Sequence, residues 1–273
     1  MSLPHYEVFA LRFATVDRRA RENFLSTDLP DRPMPMDYFV WAVRGAGHDV
    51  VVDTGFTAAA TQARQRRYLH CPIEGLRKIG VDPEKVKDVV ITHLHYDHAG
   101  NLGRFPAAKL HLQEAEAEFA TGKFMLDEAR RHAYDVEDVV AAVRSIHAGR
   151  VVFHEDSAEL LPGITLHHVG GHTAGLQVVR VHTARGWVVL ASDATHFYEN
   201  LRRRNPFPIV HDVGAILEGY RLLETLADGP DHIIPGHDPA VAARFPRVPG
   251  LDVEAVRLDL VPAAEPPLRS GPA

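Results

Sequence analysis

The sequence predicts an α/β fold, and three observations carry that prediction. Short runs rich in Val, Ile and Leu recur along the chain, and stretches of helical pattern lie between them. Several His and Asp residues stand directly after the apolar runs. Strand signals fall in two blocks. The first covers residues 6–13, 38–43, 49–52, 89–91 and 109–112, and the second 151–154, 164–168, 177–182, 187–191 and 232–234. Helical stretches occupy 57–69, 73–78, 114–121, 135–147 and 214–227. Two β-rich halves with helices between them suit two stacked mixed sheets with helices outside. Pattern alone stops at α/β and one domain.

At 273 residues the chain can bury roughly three quarters of its unfolded surface, enough for a core without covalent staples. We take residues 1–245 as the domain and 246–273, rich in Pro and Ala, as a C-terminal tail that frays beyond Val261. Cys71 is the only cysteine, so no intrachain disulfide forms and Cys71 reads as a small packed residue. The first residues lack the basic start and apolar stretch of a signal peptide, and no run reaches about 18 apolar residues. The chain therefore reads as cytoplasmic, without a membrane partner. A net charge of -6 gives no long-range attraction for nucleic acid, and Arg202-Arg203-Arg204 reads as a solvated loop. The expected partner is a small-molecule substrate, with a homodimer as the one assembly considered. Residues 15–37 form a long irregular segment in which Phe24, Met34 and Met36 could wall a substrate pocket or pack between subunits. Residues 121–135 suggest a second lid.

The chemistry is concentrated in Thr92-His93-Leu94-His95-Tyr96-Asp97-His98-Ala99-Gly100, immediately after the apolar run Val89-Val90-Ile91. Imidazole nitrogen and carboxylate oxygen are the donors that Zn²⁺, Mn²⁺ and Fe²⁺ accept. If the chain stays extended, His93, His95 and Asp97 point one way and His98 turns in at the loop, which can feed two metal positions. Six residues cannot close two sites alone, and further donors do follow apolar runs downstream. His172 lies in Gly170-Gly171-His172-Thr173, Asp193 follows Val188-Val189-Leu190-Ala191-Ser192, and His237 lies in Ile233-Ile234-Pro235-Gly236-His237-Asp238. Glycines beside His172 and His237 permit close backbone approach.

These motifs, in this order, resemble the metallo-β-lactamase superfamily, and Val50-Val51-Val52-Asp53-Thr54-Gly55 resembles the family strand that ends in Asp-Thr-Gly. The resemblance spans roughly residues 6–240. It implies a four-layer αββα sandwich, two mixed β-sheets flanked by helices, with metals at one edge between the sheets. An Asp rather than a Cys before the last His argues against a true β-lactamase. The stretches around Gly171-His172-Thr173, Ser192-Asp193-Ala194 and Pro235-Gly236-His237-Asp238 are most similar to the N-acyl homoserine lactone lactonases, which are quorum-quenching enzymes.

By that resemblance His93, His95 and His172 hold one metal, Asp97, His98 and His237 the other, and Asp193 bridges them. The implied cofactor is two divalent ions, zinc first, with manganese or iron as alternatives. Two cations about 3.5–4 Å apart can share a hydroxide that attacks the lactone carbonyl, and Asp97 could then protonate the leaving alkoxide. Asp53 reads as a carboxylate that supports a ligand rather than as a ligand. The lactonases place a Tyr three residues after the bridging Asp to assist the carbonyl oxygen. Here that position is His196, and Tyr198 follows two residues later. Either could donate, and we favour His196 for its position. Two other activities share parts of the pattern. One is a thioester hydrolase of the glyoxalase II type, which usually continues past the last His into a helical substrate-binding region. Here only 36 Pro-rich residues remain after His237. The other is a mononuclear iron dioxygenase acting on persulfides, which shares the first motif. The remaining histidines, His168 and His211 among them, read as surface or hydrogen-bonded residues.

Overall fold

A computed structural model describes residues 3–26 and 30–264. Leu29, and the chain after Ala264 where fraying was expected, lie outside the described residues. Among the described residues the strands are, in chain order, β1 (Glu7–Val16), β2 (Met36–Gly45), β3 (His48–Val52), β4 (Arg67–Tyr68), β5 (Asp88–Val90), β6 (Lys109–Gln113), β7 (Val151–His154), β8 (Ala158–Leu161), β9 (Ile164–His168), β10 (Gln177–Thr183), β11 (Gly186–Ser192), β12 (Ile233–Pro235) and β13 (Ala255–Arg257). One sheet has the order β13-β1-β2-β3-β5-β6-β7, with β4 beside β1, and the other runs β12-β11-β10-β9-β8. Both are mixed. The neighbours from β3 to β7 are parallel, as are β11 and β12, and the other pairs are antiparallel.

Side-chain alternation explains the layers. Because successive strand residues face opposite sides, Val8, Ala10, Phe39, Trp41, Val43, Val50 and Val52 meet Ile164, Leu166, Val179, Val181, Val188 and Leu190 in one core between the sheets. Their neighbours Phe9, Leu11, Val40 and Val51 turn outward onto Ile73, Leu76 and Phe119 of the helices Pro72–Lys78 and Glu114–Thr121. On the far side Val178, Val189 and Ala191 pack on Ile216, Tyr220 and Leu223 of the helix Val213–Leu226. Strands buried on both faces read as continuous apolar runs, which is why they were visible in the sequence. Among the described residues no helix is long and apolar enough to cross a membrane.

Four expectations change. Val151–His154, grouped with the second block, joins the first sheet parallel to β6, because the helix Val136–His147 is the crossover that returns the chain to that sheet. The helix foreseen over 57–69 ends at Ala63; Gln65 takes a φ of 55°, and Arg67–Tyr68 pairs with β1 instead. The segment after residue 245, read as tail, places β13 against β1 and buries Val256 and Leu258. Phe24, Met34 and Met36, read as a pocket wall or a subunit contact, are buried core residues packed against the outer face of the first sheet.

Candidate metal centre

Five connections converge where strands end: Asp53 after β3, His93 to His98 after β5, His172 after β9, Asp193 after β11 and His237 after β12. Ligands in α/β sheets bind at such carboxyl ends. The chain does not stay extended through the first motif. Tyr96–Ala99 turns helical after His95, so Asp97 and His98 enter from that turn rather than from a strand face.

The predicted donors are brought together and buried. His93, His95, His172 and Asp193 form one group whose ligand atoms lie within 4.8 Å of one another, and Asp97, His98 and His237 form a second. His93 Nε2 and His172 Nε2 each lie 3.0 Å from His95 Nδ1. Asp193 stands between the groups, with Oδ2 at 3.1 Å from His172 Nε2 and 3.7 Å from His93 Nε2. Its other oxygen, Oδ1, faces His237 Nε2 at 2.9 Å and His98 Nε2 at 3.4 Å. Asp97 Oδ2 is 3.7 Å from His98 Nε2 and 3.8 Å from His237 Nε2. One carboxylate thus offers one oxygen to each group.

The outward ring nitrogens decide which inward ones are lone pairs. His172 Nδ1 contacts the Ile209 carbonyl at 2.7 Å, and His237 Nδ1 the Asp37 carbonyl at 2.8 Å. A carbonyl only accepts, so each Nδ1 carries the proton and each Nε2 is left as a donor to a cation. His98 Nδ1 lies 2.7 Å from Asp53 Oδ2, whose carboxylate also accepts from the Thr92 amide and hydroxyl, both at 2.8 Å. Asp53 therefore supports His98, in a left-handed conformation (φ 59°) at the end of β3. Inward lone pairs only 3.0 Å apart cannot all satisfy one another. Among the described residues His98 Nε2 and Asp193 Oδ1 are buried, and none of their close contacts has hydrogen-bond geometry. Buried polar atoms left so are rare and call for an ion or water. Imidazole and carboxylate donors converging on such orphaned atoms fit divalent metal ions.

Electrostatics agree. Burial drives His93 and His95 well below the usual imidazole range, so both are neutral. Burial also opposes charge on His98, but Asp193, Asp53 and Asp97 together hold its pKa well above that range. Asp193 is held well below the carboxylate range, against burial, by the imidazoles packed around it.

Two of the side chains that hold this geometry were not foreseen. Glu116, wholly buried, accepts from the Leu94 amide at 2.9 Å and the Gly175 amide at 3.2 Å, and from the Tyr134 hydroxyl at 3.1 Å. It clamps the His93–His95 segment to the His172 loop, and the Tyr134 ring stands edge-on against His95 at 4.6 Å. A Cβ at Gly175 would lie 2.1 Å from the Glu116 nitrogen, so only glycine allows this approach. Gly236 is the counterpart beside His237, where a Cβ would meet Asp193 Oδ1 at 2.8 Å.

The two carbonyl-assisting candidates separate. His196 is at the centre: its Nε2 lies 3.2 Å from Asp193 Oδ2, and its ring stacks on Phe207 at 3.8 Å. Burial pushes its pKa down to about 3, against the pull of Asp193, leaving a neutral imidazole with one N–H. With Asp193 and His237 it forms a third group able to hold a metal. Tyr198 instead lies in the core between the sheets, with the Arg244 guanidinium 5.4 Å from its ring. His211 and His168 stay structural. The His211 amide donates to the carbonyls of Gly171 and His172, and His168 Nε2 contacts the Ala174 carbonyl.

A family model described as the metallo-beta-lactamase superfamily matches residues 35–237. The chain is 29% identical over 164 residues to an N-acyl homoserine lactonase of Bacillus sp, covering 60% of each chain. To the N-acyl homoserine lactonase AiiB of Agrobacterium fabrum it is 33% identical over 132 residues, 46% of this chain and 47% of that one. The chain thus spans at most about 60% of the length of these relatives. The crystal structure of a quorum-quenching N-acyl homoserine lactone lactonase matches with a TM-score of 0.71 at 22% identity, over 88% of this chain and 94% of that one. That likeness shows the same fold.

Proposed function

This chain belongs to the metallo-beta-lactamase superfamily, and on that premise we propose that it is a dinuclear metal-dependent hydrolase that opens a lactone, N-acyl homoserine lactone-like or another cyclic ester or amide. The observation that carries this reading is Asp193, which offers one oxygen to His93 and His172 and the other to His98 and His237. The names of the relatives support the lactone as substrate class.

Two divalent ions in this donor set, zinc foremost, would supply an acidified water as nucleophile and a Lewis acid for the carbonyl. His93, His95 and His172 would hold one, Asp97, His98 and His237 the other, and Asp193 would join them. The chain's own groups do the rest. Asp53 fixes the His98 ring through Nδ1, so that Nε2 stays turned inward. Asp97, largely buried beside His98 and His237, would carry a proton on its carboxyl oxygen to the alkoxide that leaves as the ring opens. His196, neutral and locked by Phe207, would donate its N–H to the carbonyl oxygen as charge grows there. Tyr38, edge-on to His237, and Tyr134, edge-on to His95, shield the cluster from bulk water.

The test is a panel of N-acyl homoserine lactones, simple lactones and glutathione thioesters, with hydrolysis followed by proton release. Lactone turnover that chelator abolishes and zinc restores supports the reading. Turnover confined to thioesters would replace it with the glyoxalase II type of activity.

A further inference from the structure

The segment after β1 and the segment before β4 meet at an open cavity of about 410 Å³. Arg18 and Arg66 line it half buried, whereas Asp17, Glu22 and Arg67 reach it from exposed positions. Each of the two half-buried guanidiniums stands one ring away from the cluster. Arg18 lies 5.1 Å from the centre of the Phe207 ring, which stacks on His196. Arg66 lies 5.9 Å from the Tyr38 ring, which meets His237 at 5.2 Å. Its Nε donates at 3.1 Å to the hydroxyl of Tyr96, the neighbour of Asp97.

Among the described residues neither guanidinium forms an ion pair with a carboxylate. Arg18 donates to the Asn23 side chain and the Glu22 carbonyl, both at 2.6 Å, and Arg66 to the Arg64 carbonyl at 2.6 Å. The Glu22 carboxylate is turned to the Arg19 amide at 2.7 Å. Burial lowers the Arg18 pKa and Arg66 adds to that, with Glu22 pulling the other way. Two half-buried guanidiniums share a cavity whose own carboxylates, Asp17 and Glu22, are exposed and form an ion pair with neither, and an anion between the two relieves their repulsion. Their planar forks match a carboxylate's two oxygens.

We propose that this cavity is a subsite for a carboxylate on the non-reacting arm of the substrate, held by Arg18 and Arg66. The proposal rests on the hydrolase reading and narrows it: the substrate is a lactone whose arm is anionic at neutral pH. Arg18 and Arg66 are specificity residues, outside the metal ligands.

The test compares two lactones that differ only at the arm's end: N-hexanoyl homoserine lactone, and the analogue whose six-carbon acyl chain ends in a carboxylate. With metal-loaded protein, kcat/KM should favour the carboxylate by about 10- to 100-fold, the worth of one or two charge-assisted hydrogen bonds. Arg18→Gln and Arg66→Gln should each cut that ratio about 10-fold, through KM, with metal content and circular dichroism checked on the same samples. Equal kcat/KM for the two lactones, or a ratio the variants leave intact, overturns the subsite. If neither lactone opens, calorimetric titration with adipate decides the subsite by itself. Adipate binding that weakens about 10-fold in each variant supports it. No binding, or equal binding in all three proteins as metal ions alone would give, overturns it.

Discussion

Glu116→Gln tests whether the metal centre is held from behind. Glu116 joins the His93–His95 segment and the His172 loop through the amides of Leu94 and Gly175 and fixes Tyr134 against His95. Glutamine keeps the shape and one carbonyl oxygen, which can still accept from Leu94 and Tyr134. Its NH₂ then faces the Gly175 amide at 3.2 Å, donor against donor. One hydrogen bond to a charged acceptor is lost, worth about 1.5–3 kcal/mol. Burial, which raises the Glu116 pKa and so disfavours its carboxylate, offsets part of that loss. A net of about 1.4–2.7 kcal/mol corresponds to 10- to 100-fold in metal affinity, the range seen when partners of ligands are removed. The assay is zinc competition against a chromophoric chelator, with urea unfolding of the metal-free protein as control. We expect weaker zinc binding with a smaller change in metal-free stability. Zinc affinity within two-fold of wild type would refute the clamp. A loss seen only as unfolding would make Glu116 a core residue without a positioning role.

Asp53→Asn should weaken one metal position selectively, by about 10- to 100-fold, because Asp53 touches His98 and none of the other His ligands; a stepwise zinc titration should show one site shifted and one unchanged. Asp97→Asn should lower kcat by about 10²–10⁴ if its carboxyl protonates the leaving alkoxide. Unchanged kcat with full metal content would remove it from the mechanism. His196→Ala should cost about 10- to 100-fold in kcat, while Tyr198→Phe, in the core between the sheets, should cost little. A loss confined to Tyr198→Phe would reverse that assignment.

Much of the site was legible because metal chemistry restricts it to few residue types placed at strand ends. His93, His95, Asp97, His98, His172, Asp193 and His237 could be gathered by that rule, and Asp53 by its Asp-Thr-Gly setting. The supporting residues followed no such rule. In Glu114-Ala115-Glu116-Ala117-Glu118 three acids alternate on one helix, and composition gives no sign that only Glu116 is buried. Arg18 and Arg66 are far apart in the chain, and only the pairing of β4 with β1 brings their segments together. Fold errors have the same origin. Val151–His154 has a strand's composition, but its partner is set by a crossover, which sequence pattern does not encode. The helix Tyr198–Arg203 is one and a half turns long and lacks an apolar period, so nothing marked it.

Metal content measured on wild type and Asp193→Ala decides whether two metal positions are joined by Asp193. We predict two zinc ions per wild-type chain. In the variant, loss of both occupancy and lactone turnover is expected, since two cations without a shared carboxylate repel each other. One iron per wild-type chain with oxygen consumption on a persulfide, or a variant that keeps two metals and a normal rate, would contradict the account.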